Sequence, residues 1–134
     1  MSQENVERVR EADEAFKGGD EAGFKAVIAA DMTWRSSLVP LVQKAIYTGP
    51  DEIWRLLVEE IPTLLQGFTA DVLDVENLGG AVLVTVRFRG TATTTGLLVE
   101  QTVFHLWRLR EGKGIEMRAF LRRAEALEAA GLSE

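Results

Sequence analysis

The spacing of apolar residues changes once along the chain, and that change limits the possible folds more than any other feature. In the first half the spacing is helical: Val6, Val9, Ala12 and Phe16 mark one face of residues 4–17. Gly18 and Gly19 in "KGGD" end that helix. Asp20 caps a short second helix whose apolar face carries Phe24, Val27 and Ile28. "DMTWRSS" reads as the beginning of a strand, and residues 36–48, which contain Pro40 and no clear period, read mostly as loop. In "TGPDEIWRLLVEEI" Thr48 or Gly49 caps a third helix, Pro50 suits its first turn, and Asp51 and Glu52 complement its dipole. Ile53, Trp54, Leu57 and Ile61 form its stripe, and Pro62 bends or breaks it.

In the second half the period falls toward two. "FTADVLDVE", "AVLVTVRFRG", "GLLVEQTVFHLWRLR" and "IEMRAFLR" are rich in Val, Thr and aromatic residues, with "NLGG" and "REGKG" as hairpin connections. "AEALEAAG" adds a short terminal helix. Helices followed by an antiparallel meander predict an α+β fold with the helices laid on one face of the sheet. With no repeat or linker in 134 residues, one domain over 1–134 is expected.

Composition narrows the chemistry. A net charge of −6 disfavours nucleic acid and anionic membrane surfaces as partners. The absence of cysteine removes disulfides, thiol nucleophiles and thiolate metal sites. A single histidine is too few for the grouped imidazoles of zinc or non-haem iron centres, so neither a metal nor another cofactor is expected. The first residues lack an apolar signal core, and no apolar run approaches the ~18 residues of a membrane helix. A cytoplasmic location is the expectation.

The segments "ENVERVREADEAFKGGD", "IYTGPDEIWRLLVEEI", "GKGIEMRAF" and "RAEALEAAGL", in this order, resemble a SnoaL-like protein of the NTF2-like superfamily. The resemblance covers nearly the whole chain. It implies a cone: a strongly bent antiparallel sheet wrapped over three helices from the N-terminal half, an apolar pocket inside, and a short C-terminal helix. Relatives on this fold include polyketide cyclases, ketosteroid isomerase, scytalone dehydratase, limonene epoxide hydrolase and proteins that only bind, so function has to be argued from the site.

The resemblance also implies where catalytic groups would stand. The general-base Asp of ketosteroid isomerases falls on Ser36, their helix-one Tyr on Ala12 and their second donor on Phe104. The acid that limonene epoxide hydrolase carries on its last strand falls on Ala119. None of these replacements performs the family chemistry: an unassisted serine is a poor base for a carbon-bound proton, and Ala or Phe gives an enolate no hydrogen bond.

Matching Phe104 and Ala119 to inward positions, with strand alternation, puts Thr102, Leu106, Met117 and Leu121 in the pocket wall beside Ala12, Phe16, Trp34 and Ser36. The opposite, convex face would carry Val103, His105, Trp107, Arg118 and Phe120, too apolar to stay wet and therefore expected to pair with a second copy of the chain. A one-residue slip or one bulge reverses this assignment and turns His105 into the pocket.

Asp13 is the candidate acid or base. It lies within the apolar stripe of the first helix, at the step where SnoaL-like proteins often carry a pocket-facing Tyr; partial burial there would raise its pKa. The competing reading places it at the stripe's edge, paired with an Arg. Glu100 and Arg108 sit near strand ends and are expected to be solvated or paired, Trp54 is expected in the core, and "GTATTTG" reads as a polar strand edge. The leading expectation is a homodimer that binds a small hydrophobic ligand in its cone. An enzyme of the cyclase, isomerase, dehydratase or epoxide hydrolase kind using Asp13 comes second, and a ligand-free interaction module third.

Overall fold

The computed structural model describes residues 2–36 and 44–132. The expected loop around Pro40 therefore lies largely outside the described residues. Helix α1 (Ser2–Lys17) is followed by α2 (Glu21–Ala26), and the Asp20 carboxylate accepts a bond from the Gly23 N–H at 3.0 Å, the cap expected from its position. Strands β1 (Ile28–Arg35) and β2 (Ile46–Thr48) lead into α3 (Gly49–Arg55). Thr48 holds the N-cap position of α3 without a side-chain bond; instead Glu52 reaches back to accept the Thr48 N–H at 3.0 Å.

Pro62 does not break the third helix, because the backbone absorbs it one turn earlier. The chain widens into a π turn (Leu56–Glu60), where the Ile61 N–H bonds the Leu56 carbonyl, and then continues as α4 (Ile61–Leu64). The extra residue in that turn accommodates the N–H that proline lacks.

Four long strands complete the sheet: β3 (Leu65–Asn77), β4 (Val82–Ala92), β5 (Leu98–Arg110) and β6 (Lys113–Phe120), before α5 (Arg123–Ala129). The sheet order is β2-β1-β6-β5-β4-β3. All pairs are antiparallel except β1–β6, which run parallel. The connection in "REGKG" is tight because Glu111 and Gly112 both take positive φ, 53° and 78°, which matches the twist of a two-residue hairpin. Register shifts between Gln66 and Thr69, between Val72 and Asp74, and between Arg108 and Leu109 help the sheet curl.

Helix α1 packs on β3 and β4, and α3 packs on β1. Between helices and sheet lies the main core, which includes Val9, Met32, Ile53, Leu56, Val103 and Met117, all nearly or fully buried. Burial of each such side chain stabilises by about 1.5–3 kcal/mol. A second core lies on the other face, where α5 lays Ala126 and Leu127 over Ala81, Leu83 and Leu106. Gly114 is required on β6, between β1 and β5: a Cβ there would stand 2.9 Å from the Trp107 ring and 3.0 Å from the Met32 sulfur.

Candidate functional site

The concave side of the sheet and the helices line a cavity of about 70 Å³ that is partly open to solvent. Helix α1 contributes Asp13 and Phe16 to its wall, the π-turn region contributes Leu57 and Ile61, and the sheet contributes Trp34, Phe88, His105 and Trp107 among others. Leu57 and Ile61 are one helical turn apart, so both point to the same side. Apart from Asp13, Ser36 and His105, every lining side chain is apolar.

The sheet register corrects the expected orientation of β5. Strands β4 and β5 pair without interruption from Val82–Trp107 to Thr91–Leu98, so alternation holds along the whole stretch. His105 and Trp107 share the face of Val84 and Val82 and line the cavity, and Val103 is buried in the core beneath them. Thr102, Phe104 and Leu106 take the opposite face; Leu106 is buried against α5, and Phe104 packs beside it. On β6, Met117 and Ala119 do point to the concave side, paired with Trp107 and His105, but they pack into the core instead of lining the cavity. Leu121 lies past the end of β6 and is 51% exposed.

The physical reason is arithmetic. Directly opposed residues of an antiparallel pair share a face, and here Phe104 opposes Phe120 while His105 opposes Ala119. A two-residue turn that sets Arg110 opposite Lys113 would, continued without interruption, set Phe104 opposite Ala119, and both could then turn inward. One extra residue on β6, Ile115, between the Leu109–Gly114 and Arg108–Glu116 pairs shifts every later pair by one. Phe104 and Ala119 therefore take opposite faces: Ala119 keeps the concave side and the expected β5 set turns away from it. Arg118 and Phe120 keep their expected outward face, with the guanidinium 5.1 Å from the Phe120 ring centroid.

His105 sits in an aromatic corner. Its ring is 5.9 Å from that of Trp34 and 5.9 Å from that of Phe88, both edge-on, and Trp34 meets Trp107 at 5.5 Å in the same manner. Burial holds the imidazole well below its ordinary range, at about 4, so the ring is neutral at physiological pH. Among the described residues no protein group hydrogen-bonds either ring nitrogen, and the part of the side chain that keeps accessible surface faces the cavity.

Asp13 lies on the wall as well, one turn before the C-terminal end of α1. Desolvation pushes its carboxyl above the usual range, helped by the nearby charges of Glu14 and Asp71, while Lys17 acts in the opposite sense. The Lys17 ammonium is 3.4 Å from it, so the partner is a lysine one turn along the same helix and not the expected arginine. The remaining polar candidates are paired elsewhere: Glu100 with Arg89 at 2.9 Å, and Arg108 with Glu116 at 3.4 Å and with the Ala129 carbonyl at 2.9 Å. The threonine run forms a turn in which Thr93 donates to the Thr63 carbonyl at 2.7 Å. Trp54 packs on Phe24 at 5.3 Å against the main core. Among the described residues no cluster of His, Asp and Glu could hold a metal ion, and no helix is long and apolar enough to cross a membrane.

Comparison with known proteins agrees with this architecture. An NTF2-like protein from Burkholderia thailandensis superimposes with a TM-score of 0.77 at 26% identity, over 95% of each chain. A protein of ketosteroid isomerase-like fold from Catenulispora acidiphila, in complex with trimethylamine, does so at 0.70 and 17% identity, over 94% of this chain and 93% of that one. An epoxide hydrolase from M. tuberculosis, similar to limonene epoxide hydrolase, gives 0.67 and 16%, over 90% and 84%. Among curated proteins none matches the sequence. The family model of the SnoaL-like domain matches residues 9–117, most of the chain. The protein belongs to the SnoaL-like domain family, on an NTF2-like fold.

Proposed function

We propose that the protein binds a small, largely apolar molecule in the cavity beneath α1. The observation that carries this reading is the wall itself: aromatic and aliphatic side chains with three polar groups set among them, the composition of a ligand site. The third expectation, an interaction module whose cone is filled by its own side chains, loses support from the open volume of about 70 Å³. A neighbour on the same fold was solved in complex with trimethylamine, a compact molecule of the size class this volume suits. Thermal unfolding across a panel of small hydrophobic compounds tests the reading, since a ligand of the folded state raises the midpoint as its concentration passes Kd. A flat response across the panel contradicts it.

A catalytic version is supported by one specific observation, the presence of Asp13 and His105 on the wall of a single cavity. In that version Asp13, with its raised pKa, exchanges a proton with the bound molecule. Loss of turnover in Asp13→Asn with unchanged ligand affinity supports it, and unchanged turnover ends it. The homodimer expected through the convex face stands as part of the same proposal, with Phe104, Arg118 and Phe120 as its surface in place of His105 and Trp107. Sedimentation of the native chain against a Phe120→Glu variant checks it.

A further inference from the structure

Three features of the cavity, taken together, define its occupant more closely than apolar character alone. The first is size. About 70 Å³ is well below the ~300–1,000 Å³ of pockets for drug-sized ligands, which favours a single ring or a compact branched body over a fused-ring system. The second is the unanswered imidazole. His105 is hemmed in by Trp34 and Phe88, and its nitrogens have no protein partner among the described residues. A neutral imidazole offers one N–H donor and one nitrogen acceptor to anything that enters the cavity. The third is charge. The charged side chain on the cavity wall is Asp13, already paired with Lys17 at 3.4 Å, so the wall offers an anion no unpaired cation.

We infer that the natural occupant is a compact, uncharged molecule carrying one hydroxyl on an aromatic or branched aliphatic body, with that hydroxyl seated against a ring nitrogen of His105. A hydroxyl is favoured over a pure donor or a pure acceptor because it both donates and accepts, and so satisfies the imidazole in either tautomer. Trp34, Phe88 and Trp107 surround the apolar body, and the lining holds no Lys or Arg to receive its ionised form. This inference rests on the reading that the cavity binds a ligand, and it adds which polar group the ligand carries and which side chain reads it.

Phenol and toluene are the probes, because they share a ring and differ in the hydroxyl. Their dissociation constants are measured by calorimetry for the unaltered chain and for His105→Phe, which keeps an aromatic ring and removes both nitrogens. Comparing the phenol-to-toluene ratio between the two proteins cancels the different hydration of the probes. The ratio is expected to favour phenol about tenfold more in the unaltered chain. An equal ratio in both proteins overturns the role of His105 while leaving apolar binding intact; failure of both probes to bind the unaltered chain removes the ligand reading and this inference with it. Benzoate is expected to bind at least about tenfold more weakly than phenol, and equal affinity counts against the inference. A measurement on the unaltered chain covers the case in which His105→Phe does not fold. His105 is the one histidine in the sequence, so its imidazole nitrogen signals are identified without assignment work. Phenol at saturation is expected to shift them and toluene to leave them nearly in place; identical shifts from both probes contradict the inference.

Discussion

His105 stands edge-on to Trp34 inside the cone, with ring centroids 5.9 Å apart and planes at 74°. The contact joins β5 to β1 across the intervening strand β6, and it fixes the lone imidazole on the cavity side of the sheet. Such a position strips an ionisable group of much of its water, and the following expectations come from that.

Stability should fall on mild acidification. The folded pKa of His105, about 4, lies below the ordinary value of 6.5, so the unfolded chain binds a proton more readily. The contribution of the neutral ring is complete above pH 6.5 and is lost as pH falls from there toward 4, amounting to about 3 kcal/mol. Urea unfolding at intervals from pH 7 to pH 4 should show the decline, and the His105→Phe variant should show a shallower one. Parallel profiles contradict the burial of the ring.

Asp13 should act in the opposite sense. Its folded pKa is raised above 3.8, so the ionised form is disfavoured by folding, and stability is lost as pH rises through the raised value. Asp13→Asn removes that loss and gives up only the 3.4 Å pair with a half-exposed lysine, which is worth little. The variant should be at least as stable as the parent at pH 7, with the difference narrowing toward pH 4. A destabilisation beyond about 1 kcal/mol at pH 7 in urea unfolding shows that the ion pair outweighs burial.

Gly114→Ala should damage the fold and the cavity together. The new Cβ meets the Trp107 ring at 2.9 Å and Met32 at 3.0 Å, and Trp107 is a wall of the cavity. A cost of about 1–3 kcal/mol in urea unfolding is expected, together with weaker toluene binding in calorimetry.

The two faces of β5 should separate by mutation. Leu106 is 1% exposed beneath α5 on the far side of the sheet. Leu106→Ala should cost about 2–4 kcal/mol of stability and leave toluene affinity unchanged. Trp107→Ala, one residue on, should alter that affinity. Equal effects of the two changes on binding contradict the register.

Much of this was legible in the residues. The period change located the helices and the long strands, Asp20 and the Gly-rich turns marked their boundaries, and the stripe of α1 placed Asp13 and Phe16 toward the interior. The face of β5 was not legible. Its residues are apolar on both sides, because α5 covers one side with a second core, so Phe104 and Leu106 look as suited to the interior as Val103 and Trp107. The signal that could have decided it was the pairing of the hairpin: "REGKG" with a two-residue turn sets Arg110 opposite Lys113, and one bulge on β6 at Ile115 then brings His105 opposite Ala119. The π turn before Pro62 was equally hidden, since a proline marks a disturbance without saying whether the helix stops or widens.

The central claim, that the imidazole lies neutral in the wall of the apolar cavity, is tested most directly by nuclear magnetic resonance titration of that ring in the native chain. The expected result is a neutral ring throughout the range from pH 8 to pH 5.5, with protonation only near pH 4. A free titration centred on the ordinary value of 6.5 would place His105 in solvent and contradict the account.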